Sequence, residues 1–120
     1  MRQNLCEIYL RNIDPVFKIL HRPSLVAFLC DDQPYLNFDK SHQAPATLAC
    51  SVYYAAACTI GDLQCQEIFG ADKKTVISGL QLETESMLAE VDFAASTELT
   101  VLQAYVLSLV SYRFCFSYNQ

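Results

Sequence analysis

No charged residue occurs between Glu98 and Arg113, and the stretch between them carries Leu99, Val101, Leu102, Ala104, Tyr105, Val106, Leu107, Leu109 and Val110. At helical spacing these side chains surround the axis instead of lining one stripe. Such a helix must be covered on most sides, by lipid or by other helices. The uncharged run is shorter than the roughly 18 to 20 residues that a bilayer core requires, and Thr100, Gln103, Ser108 and Ser111 dilute it. The expectation is a central helix of a soluble protein with no membrane span. Its far side then needs helices from elsewhere in a larger domain, or from another chain.

The rest of the sequence also has a helical period. Leu5, Ile8, Tyr9 and Ile13 step by three and four, which predicts a short amphipathic helix. Asp14-Pro15 ends it, because proline lacks an amide hydrogen and disfavours helical geometry in the residue before it. Val16 to Arg22 reads as an apolar connector or a single turn, closed by Pro23, and Ser24 can cap a short helix through Leu29. The polar, irregular stretch from Asp31 to Gln43 reads as a surface loop. Pro45 suits the first turn of an alanine-rich helix over Ala46 to Ile60, with Gly61 as its stop. Asp62 can cap a brief helix over Leu63 to Phe69 that ends at Gly70. A longer helix is expected over Asp72 to Phe93, with Val76, Ile77, Leu80, Met87, Leu88 and Val91 on its apolar positions. Ser96 or Thr97 begins the last helix.

The predicted class is all-α, an irregular multi-helix bundle over residues 1–120. Apolar residues make up 52% and charged residues 18%, a balance too apolar for a disordered chain. The formal charge is −5 and the basic residues are scattered, so no basic stripe exists to neutralise phosphates and direct nucleic-acid contact by this segment is not expected. The N-terminus lacks the layout of a secretory signal. In the cytosolic or nuclear setting that follows by default, Cys6, Cys30, Cys50, Cys58, Cys65 and Cys115 are expected as thiols, and their wide spacing offers no zinc-binding pair.

No residue pattern points to catalysis. His21 and His42 are the only side chains suited to neutral-pH proton transfer, and neither stands in a recognisable pattern with a nucleophile. Glu83, Glu85, Glu90 and Asp92 read as the solvated face of a helix. Asp31-Asp32 lacks the glycine and later glutamate of a calcium loop. The glycines are too isolated for a phosphate or dinucleotide loop. No catalytic, cofactor-binding or metal-binding residue is assigned, and no cofactor is expected. The competing reading is a small helical biosynthetic accessory protein or enzyme, with a pocket lined by Phe28, Tyr53, Tyr54 and Tyr105. The same aromatics are more simply core.

The most specific segment is Asp14-Pro15-Val16-Phe17-Lys18-Ile19-Leu20-His21-Arg22-Pro23-Ser24-Leu25. Physically, Pro15 and Pro23 bracket an apolar insert whose Phe17, Ile19 and Leu20 can anchor the first helix to the core. His21 and Arg22 can hydrogen-bond nearby helix-end carbonyls. The segment resembles the opening of the fungus-specific transcription-factor domain, the middle homology region of zinc-cluster regulators. Its Asp-Pro variant is similar to regulators encoded within secondary-metabolite gene clusters. The alanine-rich helix Leu48 to Cys58 resembles that family's helix of alanines and tyrosines. Thr97 to Ala104, with Leu102-Gln103-Ala104 at its end, resembles its Leu-Gln-Ala helix.

The resemblance implies a truncated, non-DNA-binding N-terminal portion of a larger helical regulatory domain. The motif residues Asp14, Pro15, Phe17, Leu20, His21, Arg22, Pro23, Leu102, Gln103 and Ala104 are then structural. It implies a nuclear location, or a cytoplasmic one if no targeting signal is carried. The binuclear zinc cluster of full family members has no counterpart here, and after Arg113 the sequence departs from the family pattern. The expected partner is a full-length transcription regulator, or a second copy in a homo-oligomer, engaged through the apolar helix 99–112.

Overall fold

In the computed structural model, all regular structure among the described residues is helical: α1 (Arg2–Asn12), α2 (Arg22–Leu29), α3 (Ala44–Cys58), α4 (Asp62–Phe69), α5 (Lys73–Glu90) and α6 (Leu99–Tyr118). The backbone is described for residues 2–36, 38, 42–91 and 98–118, and the side chains for the same residues except 2 and 114–118. The all-α class read from periodicity holds. The expected start of the last helix at Ser96 or Thr97 lies outside the described residues, as do Asp92 and Phe93 at the expected end of the fifth.

Local chemistry accounts for the boundaries. Before Pro15 the amides of Ile13 and Asp14 both turn back on the Tyr9 carbonyl, at 2.9 and 3.1 Å. The chain makes one further turn, with Val16 and Phe17 donating to the Ile13 carbonyl. α2 starts earlier than its expected Ser24 cap. His21 is the N-cap and Pro23 occupies the first turn, where its missing amide has no intrahelical partner to lose. α3 likewise takes Pro45 into its first turn. Gly61, rather than Asp62, caps α4, and Gly70 ends it in the left-handed region at φ +70, where a side chain would be strained. Asp72 caps α5, accepting from the Thr75 amide at 3.4 Å and the Thr75 hydroxyl at 2.6 Å.

The packing corrects one expectation. The helix at the centre is α3, in which every residue except Ala46 and Tyr53 is buried. α1, α5 and α6 all pack on it, while α2 leans on α1 and α4 on α5. Ala49, Ala55, Ala56 and Ala57 present little bulk, so three neighbouring helices can approach its backbone. Leu48 and Val52 fill the core they share with Leu5, Ile8, Tyr9, Leu25, Val101 and Leu107. α6 supplies Thr100, Val101, Ala104, Leu107 and Ser111 to the interior, and its opposite side is open. An uncharged helix thus marks two different situations in this chain. Small side chains, rather than lack of charge, identify the enclosed one.

Among the described cysteines, Cys6, Cys30, Cys50 and Cys65 are free thiols. Cys50 sits 3.2 Å from the Thr84 hydroxyl where α3 meets α5. Cys58 departs from the expectation that all six are thiols, because it is disulfide-bonded. It lies where α3 packs against α6, with its sulfur 3.7 Å from the Ser111 carbonyl oxygen. Among the described residues no helix is long and apolar enough to cross a membrane.

Candidate functional site

The proline-bracketed connector is held to the body of the protein by a set of polar contacts. Asp14 is buried at the end of α1, with an oxygen 3.9 Å from the Arg22 Nε. Arg22 also donates to the Leu10 carbonyl at 3.2 Å, the contact with a helix-end carbonyl that the sequence leads one to expect. His21 turns instead to its own helix, 2.7 Å from the Ser24 hydroxyl. Leu20 is buried and Ile19 packs against the core, whereas Phe17 remains 40% exposed. Pro15 and Pro23 are on the surface. Anchoring by the apolar insert is therefore carried by Ile19 and Leu20.

The second motif meets the first in space. Gln103 donates its side-chain amide to the Ile19 carbonyl at 2.9 Å. Its two neighbours point elsewhere: Ala104 is fully buried, and Leu102 is exposed. Three consecutive residues, 102 to 104, thus serve the surface, the connector and the core in turn.

A cleft of about 330 Å³, counting its open mouth, lies beside the connector, lined by Ile13, Val16, Phe17, Ala55, Thr59 and Val110 among others. It is almost wholly apolar and no ionisable side chain lines it, so proton transfer has no agent there. His42 has different partners from His21. Its Nδ1 accepts the Ala44 amide at 3.1 Å, and its ring lies 4.7 Å from that of Phe38. Glu83, Glu85 and Glu90 are exposed on α5. No group of three or more metal-ligating side chains occurs among the described residues. Of the aromatics in the competing pocket reading, Tyr54 is buried, and Phe28, Tyr53 and Tyr105 are half-buried against the main core cluster.

The outer face of α6 carries a run of exposed apolar residues. Leu99, Leu102, Val106, Leu109 and Tyr112 are exposed, from 40% at Leu102 to 65% at Leu99. Spacings of three and four place them along one side of the helix. Exposed Glu98 and Arg113 bound this strip at its two ends. Single exposed apolar residues are ordinary on a protein surface, but a continuous helical strip of them is the usual substrate for helix-on-helix docking. Sequence reasoning found this helix from its lack of charge. It could not tell which half of its circumference the chain itself would cover.

The chain is 38% identical over 111 residues to the C6 finger domain transcription factor adaR of Aspergillus niger, a match covering 92% of this chain and 14% of that protein. It is 39% identical to the C6 finger domain transcription factor nscR of Arthroderma gypseum, over 91% of this chain and 16% of the relative. The nscR protein of Aspergillus fumigatus is 35% identical over 94% of this chain and 15% of its own length. No family model and no solved structure matches the chain. Nearly the whole chain is therefore similar to one short segment, about a seventh, of C6 finger transcription factors.

Proposed function

We propose that this chain is a regulatory, non-catalytic segment of a fungal zinc-cluster transcription regulator. It works in the nucleus through protein docking at the outer face of α6, without touching DNA itself. The observation that carries this reading is the similarity of more than nine-tenths of the chain to C6 finger transcription factors. The scattered basic residues support the absence of DNA contact. The apolar strip on α6 supports docking on another polypeptide. The Asp-Pro form of the connector motif supports a link to a biosynthetic gene cluster for a secondary metabolite.

Co-expression of the chain with a full-length C6 finger regulator tests the reading. The chain should co-precipitate with the regulator, Val106→Asp should abolish that association, and transcripts of a gene cluster should shift together. A folded chain that binds no regulator, and whose deletion leaves transcripts unchanged while one metabolic precursor accumulates, would instead indicate an enzyme.

A further inference from the structure

We infer that Cys6 and Cys30 form a peroxide-responsive dithiol, which closes to a disulfide that staples α1 to the end of α2. The two residues are 24 positions apart in sequence, and the packing of α2 on α1 brings their side chains into direct interaction. Both belong to the main apolar core, with Cys6 fully buried and Cys30 half-buried against it. The other described free thiols lie beside different groups. Cys50 sits against the Thr84 hydroxyl, and Cys65 has Lys73, Asp62 and Asp72 as charged neighbours. No third metal ligand joins the pair among the described residues, so a zinc ion would lack the donors it needs there. The contact is made by α1 and α2 alone and is independent of docking at α6.

The backbone suits closure. Cys6 lies within α1, whereas Cys30 is the C-cap of α2, and the chain turns just beyond it at Asp32, with φ +60. Cys30 can therefore move toward Cys6 without unwinding a helical turn, as the specific geometry of a disulfide requires. The two sulfurs have different tasks. Burial, with Cys30 next, pushes the Cys6 thiol up to about 12, so at neutral pH it holds its proton and does not start the reaction. The more accessible Cys30 sulfur, as thiolate, attacks hydrogen peroxide. The O–O bond breaks, Cys30 becomes a sulfenic acid, and the released hydroxide takes up the thiol proton as water. The Cys6 sulfur then attacks the Cys30 sulfur. The S–S bond forms, the S–O bond breaks, and the departing hydroxide leaves with the Cys6 proton as a second water. Two thiols are oxidised by two electrons and one peroxide is reduced to two waters. Proximity offsets the small thiolate fraction of Cys6 in this second step, and a dithiol reductant reverses the outcome.

Peptide mapping of the full 120-residue chain provides the test. The chain is reduced, freed of reductant, treated with hydrogen peroxide, blocked with N-ethylmaleimide and digested with trypsin without reduction. Trypsin does not cut Arg22-Pro23, so Cys6 falls in peptide 3–11 and Cys30 in peptide 19–40, each without another cysteine. These two peptides should appear linked and separate on treatment with dithiothreitol. The same oxidation in urea should give a mixture of links, because the fold no longer selects a pair. In Cys6→Ala, dimedone should trap a sulfenic acid on peptide 19–40, whereas in Cys30→Ser peptide 3–11 should stay unmodified. The rise in melting temperature on oxidation should be larger in the parent than in Cys30→Ser by about 5 to 15 °C, the effect of a staple on the unfolded chain. Circular dichroism of each sample separates loss of the link from loss of the fold. A folded chain that forms no 3–11 to 19–40 link overturns the proposal, as does the same mixture of links with and without urea. Equal rises in melting temperature for parent and Cys30→Ser also overturn it, since the staple would then form outside the native packing.

Discussion

Gln103 and Ile19, 84 positions apart, are joined by a 2.9 Å hydrogen bond from the glutamine side-chain amide to the isoleucine carbonyl. Ile19 lies between two prolines in a connector that forms no regular structure beyond one turn, so its carbonyl has no ladder or helix partner to meet. Gln103 supplies one from α6. The contact ties the connector leaving α1 to the helix whose outer side is exposed.

Gln103→Ala is accordingly expected to cost about 1 kcal/mol, the usual net value of a part-buried hydrogen bond. Urea denaturation followed by circular dichroism reads the loss. A variant as stable as the parent would mean that the Ile19 carbonyl is equally well served by solvent.

The closeness of α3 and α6 gives a sharper test. Ala104 and Ala56 are both fully buried in the shared core. Ala104→Leu must displace neighbours in a packed interior, at a cost of about 1–3 kcal/mol or more. The exposed Leu102→Ala, two positions away, should change stability by less than about 0.5 kcal/mol. Thermal melts of the two variants should differ plainly in that order, and equal effects would contradict the assignment of inner and outer faces.

The contrast between α3 and α6 also shows what could be read from the amino acids. Helix positions followed from the spacing of Leu5, Ile8 and Tyr9 and from the prolines and glycines that punctuate the chain. Caps were less legible. Ser24 and Asp62 look like caps, but Pro23 and Gly61 shift those starts, whereas Asp72, read only as the first residue of its helix, is the cap. The connector motif was visible as a motif, yet its attachment to Gln103 was not, since a side-chain bond across 84 positions leaves no local pattern. The open side of α6 was equally hidden. Periodicity records how apolar a helix is around its axis and does not record which neighbours the chain can bring to it.

Two buried tyrosines carry an unspent cost. The hydroxyls of Tyr9 and Tyr54 are buried and have no hydrogen-bond partner. Removing an orphaned hydroxyl without changing the ring relieves a desolvation penalty, so Tyr54→Phe should be neutral or stabilise by up to about 1 kcal/mol. Chemical denaturation of Tyr54→Phe measures it. A clear loss of stability would reveal a partner for the hydroxyl.

Asp72 links the α5 cap to acid stability. Its hydrogen bonds from the Thr75 side chain and backbone hold its carboxyl below the ordinary value of 3.8. A folded-state pKa below the unfolded one means that the charged carboxylate contributes above the unfolded value, and that the contribution fades as pH falls through the folded value. Asp72→Asn should therefore lower the melting temperature at neutral pH. The gap to the parent should narrow as pH is taken below about 4, the ordinary range for aspartate. A gap independent of pH would remove the charge from the explanation and leave only the hydrogen bonds.

At the alkaline end the sign reverses. Burial, with the neighbouring Cys30 adding to it, pushes the Cys6 thiol from 9.0 up to about 12, and burial pushes the Tyr54 phenol from 10.0 to about 12. Between these values the folded chain retains protons that the unfolded chain gives up, so each further rise in pH favours unfolding. Stability should be level from neutral pH to about pH 9 and fall steadily toward pH 12. Cys6→Ser would trade the thiol for a buried hydroxyl and confuse the result. Cys6→Ala is the cleaner variant: it should be less stable at neutral pH from the lost packing, yet decline less steeply above pH 9. A parent and variant with parallel profiles would show that the Cys6 thiol does not drive the alkaline transition.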